Sequence, residues 1–128
     1  MNNCLFCRII RGEIPSTKIY ENDLVYAFRD INPQTPFHVL VVPKKHVASV
    51  SEIDQLGNDE IAACLLAVKQ IAADASLDGG FRMISNCGPD ACQSVPHLHF
   101  HILGGRRMAD QMARFSSGAF LIFPKSVD

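Results

Sequence analysis

Apolar and polar positions fall into short alternating or continuous runs toward both ends of the chain, with one stretch of helical period between them. From Lys18 to Arg29, two β-prone runs flank the polar triplet Glu21-Asn22-Asp23 and predict a hairpin. Asn32-Pro33-Gln34-Thr35-Pro36 is a loop, because its prolines remove ladder donors and hold their predecessors extended. Phe37-His38-Val39-Leu40-Val41-Val42 follows as an almost wholly apolar, β-branched run ending at Pro43, which predicts a central strand. Between residues 51 and 76 the period lengthens: Ile61, Leu65, Val68, Ala72 and Ala75 predict the main amphipathic helix, with Asn58 placed to cap it and Asp59 and Glu60 in its first turn. Asp78-Gly79-Gly80 terminates that helix, and Phe81 to Asn86 reads as the next strand. A polar loop from Cys87 to Ser94 precedes Pro96, after which His97 to Leu103 alternates as a strand ended by Gly104-Gly105. Strands gathered around one long helix imply an α+β fold on a mostly antiparallel sheet.

Composition bounds the function. With 128 residues, 48% of them hydrophobic, the chain fits a single domain over 1–128 that builds its core without disulfide staples. A net charge of -1 gives no basic field to hold a nucleic acid backbone, so the expected partner is a small ligand and not a polymer. The longest apolar run, Phe37 to Pro43, is far short of the roughly 18 residues of a membrane helix, and no membrane partner is expected. An odd count of five cysteines behind a start without a leader-like apolar stretch points to the cytoplasm. There, Cys4-x-x-Cys7 reads as a metal clip or a pair of free thiols rather than a disulfide.

Candidate chemistry concentrates in the last strand. In an alternating strand His97, His99 and His101 share one face, while Leu98, Phe100 and Ile102 share the other and pack on the core. The outer two histidines would stand roughly 13 Å apart, too far to chelate one ion without a bend. Two of them could share a metal with outside ligands, or one could be a nucleophile between proton-transfer or charge-stabilising neighbours. One histidine on a half-wet sheet face needs no function, but three in register have little reason to be there without chemistry. Phosphoryl transfer suits the row, since neutral imidazole attacks phosphorus without prior deprotonation.

The run Gln93-Ser94-Val95-Pro96-His97-Leu98-His99-Phe100-His101-Ile102-Leu103-Gly104-Gly105-Arg106 resembles the signature of the histidine triad (HIT) nucleotide-binding proteins, in their Hint-like branch. Phe6 to Pro15, Ala27 to Gln34, His38 to Pro43 and Asn86 agree in order. The resemblance implies a HIT-like, five-stranded sheet with one long helix and a short N-terminal helix. It implies a purine nucleotide-binding hydrolase that cleaves nucleoside phosphoramidates or acyl-nucleotides, with purine nucleoside monophosphate derivatives as ligands. His99 would be the nucleophile, forming a nucleotidyl-histidine intermediate that water hydrolyses. His101 would contact phosphate and help the leaving group take a proton, His97 would complete the triad, and His38 would orient the nucleophilic ring. Gln93, Ser94, the amide of Val95 and Asn86 would surround the phosphate. Asp30 would take the ribose hydroxyls, and Leu5, Phe6, Ile9, Phe28 and Ile31 would wall the base.

Some members of the resembled family complete the Cys-x-x-Cys pair with two histidines, here His46 and His97. The implied Cys4, Cys7, His46, His97 site would hold a structural zinc and fix segment 1–14 over the sheet, with none required for the chemistry. This sequence departs from the family at Ala91-Cys92, where two glycines are common, at Phe37 and at Pro96. The tail 108–128 ends in the apolar run Ala119 to Pro124, expected to pack at a subunit interface or over the site in a homodimer. Two other readings keep the fold: a nucleotide- or zinc-binding regulatory dimer, and a dinucleoside polyphosphate hydrolase.

Overall fold

The structure is a computed structural model that describes residues 3–110; the expectation for the apolar tail run Ala119 to Pro124 lies outside the described residues. Helix α1 (Leu5–Ile10) leads into β1 (Lys18–Glu21), β2 (Val25–Arg29) and β3 (Phe37–Pro43), followed by α2 (Asn58–Asp74), β4 (Phe81–Ile84) and β5 (Phe100–Gly104). The strands form one sheet in the order β1-β2-β3-β5-β4, every neighbouring pair antiparallel. This is the α+β, HIT-like architecture expected, and the almost wholly apolar β3 occupies its centre. No helix among the described residues is long and apolar enough to cross a membrane.

The predicted hairpin turn closes through Asn22, whose Oδ1 accepts the N–H groups of Leu24 and Val25 at 2.9 Å each. Alternation along β2 and β3 then splits the sheet into two buried layers. Val25, Ala27, Val39 and Val41 face α2 and meet Val68 and Ile71, while Tyr26, Phe28, Leu40 and Val42 face away from it and meet Phe6 and Ile9 of α1. Burial of Phe6 and Ile9 stabilises the docked α1 by about 1.5–3 kcal/mol per side chain.

Three expectations for α2 need correction. The N-cap of α2 is Gly57 rather than Asn58: Gly57 takes the extended conformation and its N–H donates to Glu60 Oε1 at 2.7 Å. Residues Val50–Gln55 form a separate 3₁₀ segment, and along α2 the predicted Val68 and Ala72 are buried and Ile61 packs on the core, but Leu65 is exposed and Cys64, Ala67 and Ile71 complete the buried stripe. The helix also ends at Asp74, before the glycines. Ser76 takes the left-handed conformation at φ 57°, and the Leu77 N–H donates to Ala72 O at 3.1 Å, which closes the C-terminus without glycine.

The last correction concerns the histidine strand. Ladder pairing in β5 begins only at Phe100, so His97 and His99 precede it. Upstream, the Leu98 N–H donates to Val47 O and the His97 N–H to Val95 O, each at 2.8 Å, and this bends the segment away from a ladder. Nor is the histidine face half-wet: His97, His99 and His101 are each at most 1% exposed. Past β5, Gly105 sits at φ 95°, and a Cβ there would stand 3.0 Å from Pro36 Cβ, so glycine lets the loop before β3 close against the end of the triad strand.

Candidate active site and metal cluster

His38 on β3 and His101 on β5 meet across the sheet on the face opposite α2, with ring centroids 5.2 Å apart. Hydrogen-bond logic fixes their protons. The Gln34 backbone N–H can only donate, and it reaches His38 Nδ1 at 3.0 Å, so that nitrogen is an acceptor. Burial lowers the His38 pKa to about 4 against the opposing pull of Asp30, so the ring is neutral and its proton is on Nε2. That Nε2–H donates to His101 Nδ1 at 2.9 Å, with Asp30 Oδ2 also 3.3 Å away. A neutral His101 therefore carries its own proton on Nε2.

His99 takes the opposite tautomer. Its Nδ1 lies 2.7 Å from the His97 carbonyl, which can only accept, so the proton is on Nδ1 and the lone pair on Nε2. The His99 and His101 ring centroids are 5.1 Å apart. Two adjacent imidazoles thus differ in tautomer, His99 with its proton on Nδ1 and His101 with its proton on Nε2. The Phe6 ring stands perpendicular to His99, with centroids 5.1 Å apart at 88°. Ser85, at the end of β4, donates its hydroxyl to the His99 carbonyl at 2.7 Å and holds the main chain there.

The ring of His97 points elsewhere. Its Nε2–H donates to Pro43 O at 2.9 Å, which leaves the Nδ1 lone pair aimed at Cys4 Sγ (3.4 Å), Cys7 Sγ (3.5 Å) and His46 Nδ1 (3.1 Å). Cys7 Sγ lies 3.4 Å from His46 Nδ1, and all four donor atoms fall within 4.8 Å of one another. A tetrahedral zinc with Zn–N near 2.05 Å and Zn–S near 2.3 Å separates its ligands by about 3.3–3.8 Å, so the 3.1–3.5 Å spacings from His97 and His46 suit that metal. The carbonyl on His97 Nε2 is the outer contact that fixes a metal-binding imidazole. Without metal, burial and the neighbouring Cys4 push the Cys7 thiol up to about 11, so binding releases a proton.

A HIT domain matches residues 11–108 of the chain. The chain belongs to the HIT family. It is 43% identical over 114 residues to an uncharacterized 13.2 kDa HIT-like protein of Azospirillum brasilense, covering 88% of this chain and 93% of that protein. It is 42% identical over 106 residues to the 14 kDa zinc-binding protein of Zea mays, covering 81% and 83% respectively. Among solved structures it is similar to a HIT family hydrolase from Clostridium thermocellum, with a TM-score of 0.83 and 43% identity over 88% of this chain and 98% of that one.

The HIT resemblance assigned further residues, and the structure distributes them unevenly. Phe6, Ile9 and Phe28 are buried together beneath α1, whereas Leu5 is 42% and Ile31 98% exposed. Asp30 turns inward: Oδ1 accepts the Asn32 N–H at 2.8 Å while Oδ2 faces His38. Gln93 is a brace, accepting the Gly88 N–H at 3.0 Å and donating to Ala48 O at 2.8 Å and Val95 O at 3.0 Å. Ser94 is exposed, and Val95 and Asn86 are half-buried. Cys92 stands at φ 63°, in the left-handed region that favours glycine, while carrying a side chain. Cys64 is buried against α2's core side, which pushes its thiol up to about 11 and leaves it unreactive. Sequence reasoning missed Gln34, Pro43 and Ser85, because two act through backbone atoms and the third through a contact between strands.

Proposed function

We propose that this HIT protein is a purine nucleotide-binding hydrolase that cleaves nucleoside phosphoramidates or acyl-nucleotides to the nucleoside monophosphate through a nucleotidyl-His99 intermediate. The observation that carries this reading is the opposed pair of tautomers on His99 and His101, each set by a partner that can only donate or only accept. His99 Nε2 attacks the α-phosphorus, and the bond from phosphorus to the leaving nitrogen or oxygen breaks. The leaving group takes a proton from solvent while the His101 Nε2–H stays on its ring and hydrogen-bonds the phosphate and leaving atom. Water then attacks the adduct, its proton is released to solvent, and His99 departs as neutral imidazole. Burial of both rings excludes competing water and strengthens every charge interaction at the phosphate.

Asn86, Ser94 and the Val95 amide supply neutral donors for the phosphate oxygens, Gln93 shapes the loop that carries them, and Asp30 has acceptor capacity left for ribose hydroxyls. The Cys4, Cys7, His46, His97 site is read as structural zinc. Zinc held by four protein ligands supplies folding free energy rather than a reactive position. Exposed Phe81 and Met83 on the edge strand β4 support a homodimer that covers them, and the cytoplasm remains the expected compartment.

The test is to incubate the pure protein with adenosine 5′-phosphoramidate and follow AMP, with diadenosine polyphosphate as the competing substrate. AMP release from the phosphoramidate that is abolished in His99→Ala supports the reading. Faster turnover of the polyphosphate favours the other HIT chemistry, and tight AMP binding with no turnover of either favours a regulatory binding protein.

A further inference from the structure

Two routes join the metal cluster to the proposed nucleophile. The first runs along the main chain: His97 offers its ring to the cluster and its carbonyl to His99 Nδ1. The second runs through α1. Cys4 caps that helix, accepting the Cys7 N–H on its sulfur at 3.4 Å, so the two thiols bracket its first turn. Phe6 lies between them, 3% exposed, with its ring perpendicular to His99 and 6.0 Å from the His97 centroid. A helix of six residues is far below the roughly 12–15 that hold together alone, so the seat of α1 depends on its anchors. Those anchors are the burial of Phe6 and Ile9 and the two thiols facing His46 and His97.

We propose that Phe6 is a positioning residue for the His99 imidazole, seated by the Cys4–Cys7 clip, so that metal at the cluster and a nucleoside monophosphate at the triad bind with positive linkage. This rests on the reading of the triad as a nucleotide site. Metal favours the conformers in which α1 is docked, and in those conformers the Phe6 ring packed against His99 restricts rotation of the nucleophilic imidazole. A ligand at the triad meets a surface already ordered and gives up less freedom on binding. By reciprocity, the same ligand must tighten the metal by the same factor.

The experiment uses the full chain and needs no turnover. Zinc affinity is measured by competition with a chromophoric chelator, with and without saturating AMP, and AMP affinity is measured calorimetrically on zinc-loaded and zinc-stripped protein. The expected result is that each ligand tightens the other by an equal factor of about five or more. Phe6→Ala should weaken zinc in the absence of AMP, because its burial helps seat α1, and should bring that factor close to one, while Phe6→Tyr should restore both. Equal zinc affinities with and without AMP in wild type, with AMP demonstrably bound, overturn the linkage and leave the nucleotide reading standing. Linkage that persists in Phe6→Ala overturns the assignment to Phe6. Should that variant fail to fold, the wild-type factor decides, and failure of AMP to bind in either metal state overturns the nucleotide reading and the linkage together.

Discussion

His99 donates its Nδ1 proton to the carbonyl of His97, two residues upstream and 2.7 Å away. The Nδ1–H tautomer, the one the proposed nucleophile needs, is therefore set by the main chain of the triad itself. His101 receives the complementary tautomer from outside, through His38 and the Gln34 amide. Catalysis in this account needs both.

Replacing His38 with glutamine removes the ring that donates to His101 Nδ1. We expect kcat to fall about 10–100-fold, the usual cost of losing a partner that orients a reactive imidazole, with KM nearly unchanged. Steady-state kinetics of His38→Gln on adenosine phosphoramidate checks this; an unchanged kcat means that the relay is not used.

The same histidine couples stability to pH. Its folded pKa, about 4, lies below the ordinary 6.5, so between those values the unfolded chain binds more protons than the native protein. Stability is thus fully present above pH about 6.5 and falls as pH drops toward 4, by up to about 3 kcal/mol from this group. Urea unfolding of wild type and His38→Gln at pH 7 and 4.5 should show the smaller loss in the variant. Equal losses would contradict the assignment.

Gln93 holds three backbone groups of the loop 87–95 and its neighbour Ala48. Gln93→Ala should cost about 1–3 kcal/mol by leaving those groups unmade, and it should raise KM more than it lowers kcat. Gln93→Glu keeps the acceptor for Gly88 and loses both donations, so it should fall between wild type and alanine. Thermal unfolding and kinetics on the three proteins test the order.

Metal content is a separate expectation. Untagged protein should carry about one zinc per chain, and Cys4→Ser should lose it. Because the thiols release protons on binding, zinc affinity should weaken as pH falls. Elemental analysis and a chelator titration at two pH values measure both; protein purified without metal or chelator treatment and found free of zinc removes the site.

Much of this was legible in the residues. The prolines around residue 34, the β-branched run of β3 and the turn at Asn22 act through local chemistry that a sequence carries openly. In the helix stripe Val68 and Ala72 are buried as their period implies; Leu65 is not, because the small Cys64 and Ala67 take the places against the sheet and hydropathy alone does not show that. The strand before Phe100 was over-extended because alternation persists where pairing with Val47 has replaced the ladder. The four metal-site candidates come together as the resemblance implied, but the Pro43 carbonyl behind His97 and the Gln34 amide behind His38 are backbone atoms, which no residue identity reveals.

The most direct test of the central claim is to mix enzyme with excess adenosine phosphoramidate, quench early in the first turnover, and locate any nucleotidyl group on the intact protein and its peptides by mass spectrometry. The account predicts one adenylyl group, on His99, formed and lost at rates that support turnover and absent in His99→Ala. AMP release without an adduct, or an adduct on another residue that turns over competently, would contradict it.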